Sequence, residues 1–178
     1  MVTGAPGVGK TTLIRRIHEH FTSQGLRVTG ITTREVREGA QRVGFRLTDI
    51  SSGSEGWLAR IGRSSGPRIG RYIVDSEDLE MLGVQAVQKS ADEIADLVLV
   101  DEIGPMEMTS NNFRKAIADL LSRDRIVVAT IKQGSHYPEV EHASKSSEVI
   151  MVELSRENRN EAFQRITSII DSWTTNRR

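Results

Sequence analysis

Apolar residues along this chain follow two spacings, short continuous runs and stripes that recur at helical intervals. The continuous runs have the length of buried strands, and they lie at 28–32, 97–100, 126–129 and 149–154. The stripes predict amphipathic helices, and they lie at 13–21, 113–121 and 162–170. Strands that alternate with helices are typical of a parallel sheet covered by helices on both faces. The pattern therefore predicts an α/β fold with a mostly parallel sheet.

An antiparallel hairpin is predicted to interrupt this alternation between about residues 40 and 72. Val43–Ile50 and Trp57–Ile61 have the composition of strands, and the cluster Ser51–Ser54 between them favours a turn. The region around the hairpin is rich in arginine, and its members are Arg34, Arg37, Arg42, Arg46, Arg60, Arg63, Arg68 and Arg71. Two interpretations stay open for these arginines: a solvated surface, or a set of cations of which some face a bound phosphate.

Composition disfavours several classes of protein. The 178 residues include 24 lysines and arginines and 24 aspartates and glutamates, so the formal net charge is zero. This balance disfavours broad electrostatic binding to nucleic acid or to an anionic membrane. The absence of cysteine excludes disulfides and thiol catalysis. We expect one domain over residues 1–178, a cytoplasmic location, and neither a membrane span nor a signal peptide. The sequence leaves the oligomeric state open, a monomer included.

Near its start the chain carries a phosphate-binding loop (P-loop), Gly4-Ala5-Pro6-Gly7-Val8-Gly9-Lys10-Thr11. Its glycines let the backbone approach an anion closely and point successive N–H groups at it. Lys10 supplies a positive charge for the β- and γ-phosphates, and the Thr11 hydroxyl is a ligand for magnesium. The helix predicted from Lys10 to about Gln24 directs its positive end at the same phosphates. The loop therefore predicts that the protein binds a nucleoside phosphate.

The strand before this loop is short. Only Met1–Thr3 stand before the first glycine, whereas a buried strand usually has about five or six residues. We expect either an unusually short first strand or a sequence that lacks residues upstream of Met1.

A second motif lies where the buried run of 97–100 ends in Asp101-Glu102. P-loop proteins use a carboxylate at the end of a hydrophobic strand to hold magnesium, typically through a water. We expect Asp101 to be that ligand, beside the phosphate loop. The next acid is well placed to orient or deprotonate an attacking water, so Glu102 is the candidate base, against the alternative of an exposed loop residue. The nucleotide-binding residues predicted in this segment are Leu97, Val98, Leu99, Val100, Asp101, Glu102, Ile103 and Gly104.

Blocks spread over the whole chain carry a family resemblance. They are Thr32–Gly39, Arg42–Phe45, Arg71–Asp75, Asp101–Glu107 and Glu153–Arg159. They resemble the THEP-type, or cancer-related, nucleoside-triphosphatases. The resemblance implies a RecA-like P-loop fold and magnesium-dependent hydrolysis of nucleoside triphosphates, with broad base selectivity, to a diphosphate and phosphate.

Carried over by position, the resemblance extends the phosphate-loop roles from Gly4 through Thr12. It places the metal role on Asp101 and the water-activating role on Glu102. One segment departs from the family pattern, because a tyrosine separates His136 from Pro138 where the two are expected to be adjacent. This departure argues against a role for His136.

The favoured mechanism is in-line attack of water on the γ-phosphorus. Glu102 positions the water, while Lys10, magnesium and the loop N–H groups stabilise the developing charge. Arg34 lies just past the second strand and is the candidate for an added positive charge, unless it pairs with a neighbouring glutamate. One alternative is a nucleotide or small-molecule kinase, because Thr33-Arg34-Glu35 loosely resembles the acceptor-phosphate motif of thymidylate kinases. Another is a slow nucleotide-gated module that acts through a partner.

Overall fold

The computed structural model describes residues 1–146 and 149–176, and the strands of these residues form one nine-stranded sheet. In chain order the strands are β1 (Val2–Gly4), β2 (Val28–Glu38), β3 (Gln41–Asp49), β4 (Glu55–Arg60), β5 (Arg68–Ile69), β6 (Tyr72–Val74), β7 (Leu97–Ile103), β8 (Val127–Lys132) and β9 (Val152–Glu153). Their order across the sheet is β5-β6-β4-β3-β2-β7-β8-β1-β9. In this spatial order, neighbouring strands are parallel on the side of β2 that runs through β7, β8 and β1 to β9. On the other side, which runs from β2 through β3, β4 and β6 to β5, they are antiparallel. The predicted mostly parallel core with antiparallel strands beside it is confirmed.

The helices lie between these strands in the chain. They are α1 (Lys10–Ser23), α2 (Ser76–Asp78), α3 (Gln85–Asp92), α4 (Asn111–Ser122), α5 (Pro138–Ser146) and α6 (Arg159–Asn176). A π-helical segment, Leu79–Val84, joins α2 to α3, and a 3-10 turn, Glu107–Thr109, precedes α4. Among the described residues, no helix is long and apolar enough to cross a membrane.

Helices cover both faces of the sheet because the side chains of each buried strand alternate between the faces. Leu97 and Leu99 of β7 pack into one apolar cluster with α1 and α6. Val98 and Val100 pack into a second cluster with α3 and α4. All four side chains are at most 1% exposed. Burial on both faces explains why β7 is a continuous apolar run rather than an alternating one.

The antiparallel region is larger than the predicted hairpin. The apolar pattern predicts that β2 ends at Thr32, but the strand continues to Glu38. Its first half pairs with β7 and its second half, 31–38, pairs with β3. The second half is highly charged and shows no apolar alternation, so its strand conformation depends on the ladder with β3. Strands β3 and β4 confirm the hairpin, and the short strands β5 and β6 extend it.

The last strand is shorter than predicted. The apolar run at 149–154 predicts a strand of that length, but only Val152–Glu153 form β9. β9 pairs with β1, which is itself only three residues long before the chain turns into the phosphate loop. The short ladder that β1 offers therefore limits β9.

Candidate active site

The phosphate-binding loop joins β1 to α1 at the carboxyl edge of the parallel strands. Gly7 and Gly9 have φ angles of +75° and +110°, in the region that favours glycine. They turn the chain so that α1 begins at Lys10. Lys10 is 8% exposed, and its Nζ donates a hydrogen bond of 3.0 Å to the carbonyl oxygen of Gly4. The fold therefore places a helix N-terminus and a buried ammonium group at the same loop.

Asp101 lies close to this loop, although its strand is not the neighbour of β1. β8 lies between β1 and β7, and the Thr130 hydroxyl of β8 donates a 2.7 Å hydrogen bond to Asp101 Oδ1. Burial raises the pKa of Asp101, and hydrogen bonds from Thr11 and Thr130 oppose that rise. The structure thus brings the two predicted metal ligands, Thr11 and Asp101, together.

The oxygens at this point fit magnesium. The second carboxylate oxygen of Asp101, Oδ2, is buried and has no hydrogen-bond partner within the described part of the chain. A buried carboxylate oxygen is costly unless a cation or a donor satisfies it. Residues 1–146 and 149–176 contain no group of three or more His, Cys, Asp or Glu side chains that could hold a metal. Mg²⁺ does not require such a group, because it binds one or two protein oxygens and completes its shell with phosphate and water.

Glu102 follows Asp101 and faces the loop. Its Oε2 lies 3.8 Å from Lys10 Nζ, and its side chain is 29% exposed. Burial raises the pKa of Glu102, the charge of Lys10 opposes this rise, and the charge of Asp101 adds to it. A partly buried carboxylate with a raised pKa, placed beside a phosphate-binding cation, has the properties of a general base.

A third carboxyl group, that of Glu107, lies close to Glu102. Glu107 is 3% exposed, and burial raises its pKa to about 8. Gly104 lies between the two acids, since a Cβ atom at this position would be 2.8 Å from both Glu102 Oε1 and Glu107 Oε2. The two oxygens are therefore separated by at most twice that distance. Glycine at position 104 permits this approach, and the raised pKa favours the protonated form of Glu107 at neutral pH.

These groups open into a cleft of about 470 Å³ between the phosphate loop and the antiparallel strands. One side is formed by the loop, by Glu102 and by Glu107. Lys132, at the end of β8, adds a second ammonium group. The opposite wall is formed by Thr33, Arg34, Glu35, Arg42, Phe45 and Leu58. Both sides of the cleft therefore carry charged groups, and Phe45 and Leu58 add apolar surface to the opposite wall, a combination that is typical of a small-molecule site.

Two of the eight arginines of the antiparallel region, Arg34 and Arg42, line this cleft, and both have acidic partners. Arg34 Nη2 donates to Glu55 Oε2 at 2.9 Å, and this hydrogen bond raises the pKa of Arg34. Arg42 forms an ion pair of 2.5 Å with Glu35. The partner of Arg34 is thus on β4 rather than beside it in sequence. A catalytic role for Arg34 stays a prediction, and it requires release from Glu55.

The apolar residues of β7 do not line the cleft. Leu97, Val98, Leu99, Val100 and Ile103 are at most 1% exposed. Their side chains support the two acids from the core and are inaccessible to a nucleotide. Their assignment to nucleotide binding stays a prediction, which the burial of these side chains disfavours.

His136 also lies outside the cleft lining. Its ring is exposed and hydrogen-bonds to Glu141 at 3.1 Å. The neighbouring Tyr137 packs against the apolar cluster of α3 and α4. Burial, and then the charges of Glu107 and Glu102, raise the pKa of Tyr137. The inserted tyrosine is therefore the residue of this segment whose pKa the two acids affect.

Sequence reasoning missed three polar residues of the site, Thr130, Lys132 and Glu107. Thr130 and Lys132 belong to β8, and no local pattern marks them. Glu107 ends the block 101–107 that carries the family resemblance. Its place in that block was an available signal.

The chain is similar to known proteins. A family model described as NTPase matches residues 1–167. The chain belongs to this NTPase family. A curated relative, the nucleoside-triphosphatase THEP1 of Thermotoga maritima, is 39% identical over 170 residues, which cover 96% of this chain and 94% of that protein. The nucleoside-triphosphatase THEP1 of Thermofilum pendens is 46% identical over 133 residues, or 75% of this chain and 72% of that protein.

Two solved structures are similar to this NTPase-family chain throughout. The crystal structure of THEP1 from Aquifex aeolicus has a TM-score of 0.82 and 31% sequence identity, covering 95% of this chain and 96% of that one. The solution structure of a human cancer-related nucleoside triphosphatase has a TM-score of 0.80 and 34% identity, covering 96% of both chains. These similarities confirm the resemblance to the THEP-type proteins and the P-loop α/β fold.

Proposed function

We propose that the protein is a magnesium-dependent nucleoside-triphosphatase that converts ATP, GTP, CTP and UTP to the corresponding diphosphates and phosphate. The observation that carries this proposal is the 3.8 Å approach of Glu102 Oε2 to Lys10 Nζ, which puts a base beside the cation of the phosphate loop. The names of the THEP1 relatives support the same reaction and specify no base. The cytoplasmic location expected from the sequence is part of the proposal.

In this reaction the loop N–H groups and Lys10 bind the phosphates and stabilise the charge of the transition state. Glu102 orients a water in line with the γ-phosphorus and accepts its proton. The water oxygen bonds to the γ-phosphorus as the bond to the β–γ bridging oxygen breaks, so the diphosphate leaves. Thr11 and Asp101 would hold magnesium, which would supply further positive charge to stabilise the phosphates.

Thr130 and Glu107 support the proposed roles of Asp101 in metal binding and of Glu102 in proton transfer. Thr130 holds Asp101 Oδ1, which leaves the unpaired Oδ2 for the metal. Burial raises the pKa of Glu107 to about 8, which favours its uncharged form at neutral pH. A charged Glu107 would place a second anion close to Glu102 and repel the incoming phosphates.

Phosphate release from the four triphosphates, with Mg²⁺ and with a chelator, tests the proposal. We expect release from each triphosphate and its loss on chelation. Glu102→Gln should bind nucleotide as the wild type does and lose about a hundredfold or more in turnover, because the amide accepts no proton. Glu38→Gln alters an exposed glutamate and should keep full activity as the matched control. Near-normal hydrolysis by Glu102→Gln would contradict the role of Glu102.

Phosphoryl transfer to an organic acceptor is a second candidate, because the cleft continues beyond Glu102 to Arg42 and Phe45. Its volume of about 470 Å³ greatly exceeds that of a single water. An acceptor hydroxyl would then replace the water, and Glu102 would accept its proton. A phosphorylated product that depends on an added acceptor would favour this candidate. Phosphate release unchanged by every acceptor would favour hydrolysis.

A further inference from the structure

The segment that ends β9 and begins α6 lies against the phosphate loop at both ends of the loop. At the first end, the Leu154 N–H donates to the Thr3 carbonyl at 2.8 Å. A Cβ atom on Gly4 would lie 2.7 Å from the Leu154 carbonyl oxygen. At the second end, the first residue of α6, Arg159, reaches the last residues of the loop. The C-terminal segment is therefore part of the wall around the phosphate loop.

Arg159 makes a defined contact with the loop. Its Nε donates a 2.9 Å hydrogen bond to the Val8 carbonyl oxygen. A Cβ atom on Gly9 would lie 3.3 Å from Nε, 3.6 Å from Cζ and 3.6 Å from Nη2 of this arginine. Because the three atoms are nearly equidistant from that point, a flat face of the guanidinium lies against Gly9. Glycine at position 9 leaves room for this face.

The turn before α6 holds Arg159 in this position. The Asn158 side chain accepts a hydrogen bond from the Ser155 N–H at 2.8 Å and donates one to the Glu153 carbonyl at 2.9 Å. The Ser155 hydroxyl in turn accepts from the Glu157 N–H at 3.2 Å. Such a closed set of hydrogen bonds fixes the backbone from which Arg159 projects. The arginine is thus pre-organised rather than free to move.

Arg159 is nevertheless exposed to solvent. One face of its guanidinium lies against Gly9 and its Nε is bonded, which leaves the opposite face uncovered beside the phosphate loop. A guanidinium plane stacks on flat π systems and does not discriminate among them. Nucleobases of all four kinds offer such a surface.

We propose that Arg159 is the stacking platform for the nucleobase of the bound nucleotide, an inference that rests on the proposed function. The triphosphate lies in the loop, and the base lies on the exposed face of the guanidinium. Because stacking needs no base-specific hydrogen bond, this contact accounts for affinity without base selectivity.

Calorimetric titration of ADP, GDP, CDP, UDP and inorganic pyrophosphate into the wild type and Arg159→Ala tests the platform. We expect the variant to weaken all four diphosphates by about three- to tenfold and to leave pyrophosphate within about twofold, because pyrophosphate has no base. Arg165→Ala removes an exposed arginine of the same helix and should match the wild type. Thermal unfolding of both variants checks that they are folded.

Arg159→Lys separates stacking from charge, since lysine keeps the charge and lacks the plane. We expect it to bind the diphosphates as weakly as Arg159→Ala does. Equal weakening of pyrophosphate, unchanged diphosphate affinity or full rescue by lysine would each overturn the inference. Phosphate release by the wild type is measured in parallel. If it is absent, the proposed hydrolysis fails, while the binding series still decides the role of Arg159.

Discussion

Replacing Glu107 with glutamine should make the stability of the protein less dependent on pH. Burial raises the pKa of Glu107 from 4.5 to about 8, so the folded protein holds this proton more tightly than the unfolded chain does. Below the pKa of 4.5, Glu107 is protonated in both the folded and the unfolded state, so its burial adds no pH dependence to the free energy of unfolding. As the pH rises between the two values, unfolding releases a proton, and the free energy of unfolding falls. Above the upper value both states are ionised and the loss is complete.

The size of this loss follows from the width of the pH window. One pKa unit corresponds to about 1.4 kcal/mol, so a shift from 4.5 to about 8 removes about 5 kcal/mol from the free energy of unfolding. Glu107 is only 3% exposed, so solvent does not screen this effect. Glutamine is similar in size and uncharged at every pH, so Glu107→Gln lacks the loss. Between the two pKa values, the free energy of unfolding of the wild type should therefore fall by about 5 kcal/mol relative to that of Glu107→Gln as the pH rises.

Urea denaturation of the wild type and Glu107→Gln, from about pH 4 to about pH 9, measures this difference. Burial also raises the pKa values of Asp101 and Glu102, but these groups are present in both proteins. Glu38→Gln, at an exposed position, should follow the wild type at every pH. Parallel stability profiles for the wild type and Glu107→Gln would refute the reasoning, because they would show that ionising Glu107 costs the folded state nothing.

Two further substitutions test the surroundings of the acids. Gly104→Ala adds a Cβ atom 2.8 Å from both Glu102 Oε1 and Glu107 Oε2, so the acids must move apart. Steady-state kinetics should show a fall in kcat of about tenfold or more, and an unchanged kcat would contradict the proposed packing. Thr130→Val removes the 2.7 Å hydrogen bond to Asp101 Oδ1 at nearly constant shape, so a higher Mg²⁺ concentration should be needed for half-maximal phosphate release. Thr130→Ser keeps the hydroxyl and should behave as the wild type, whereas an unchanged Mg²⁺ requirement in Thr130→Val would exclude the positioning role.

The elements that carry the proposed chemistry were predictable because consecutive residues specify them. The glycine spacing of the phosphate loop and the apolar run before Asp101 each depend only on neighbours in sequence. The outer half of β2 was not predictable in this way. Residues 33–38 are mostly charged, and their strand conformation comes from the ladder with β3 and from pairs such as Arg34 with Glu55. Tertiary pairing here overrides the local pattern.

Contacts between distant residues explain what sequence reasoning missed in the site. Thr130 is 29 positions from Asp101, and Arg159 is 151 positions from Val8. Both contacts depend on which strands are neighbours, and the alternation of strands and helices does not specify that order. Thr130 and Arg159 therefore could not be predicted from the sequence pattern, whereas the acids and the phosphate loop that they contact could be. That residues 1–178 form one domain stays a prediction.

The strand order also separates two parts of the site that can change independently. The phosphate loop follows β1, Asp101 and Glu102 lie near the end of β7, and Thr130 belongs to the strand between them. These groups meet because carboxyl ends of parallel strands share one edge of a sheet. The far wall of the cleft, with Arg42 and Phe45, belongs instead to the antiparallel strand β3. Substitutions on β3 can therefore alter what the cleft admits while the groups proposed for hydrolysis keep their positions.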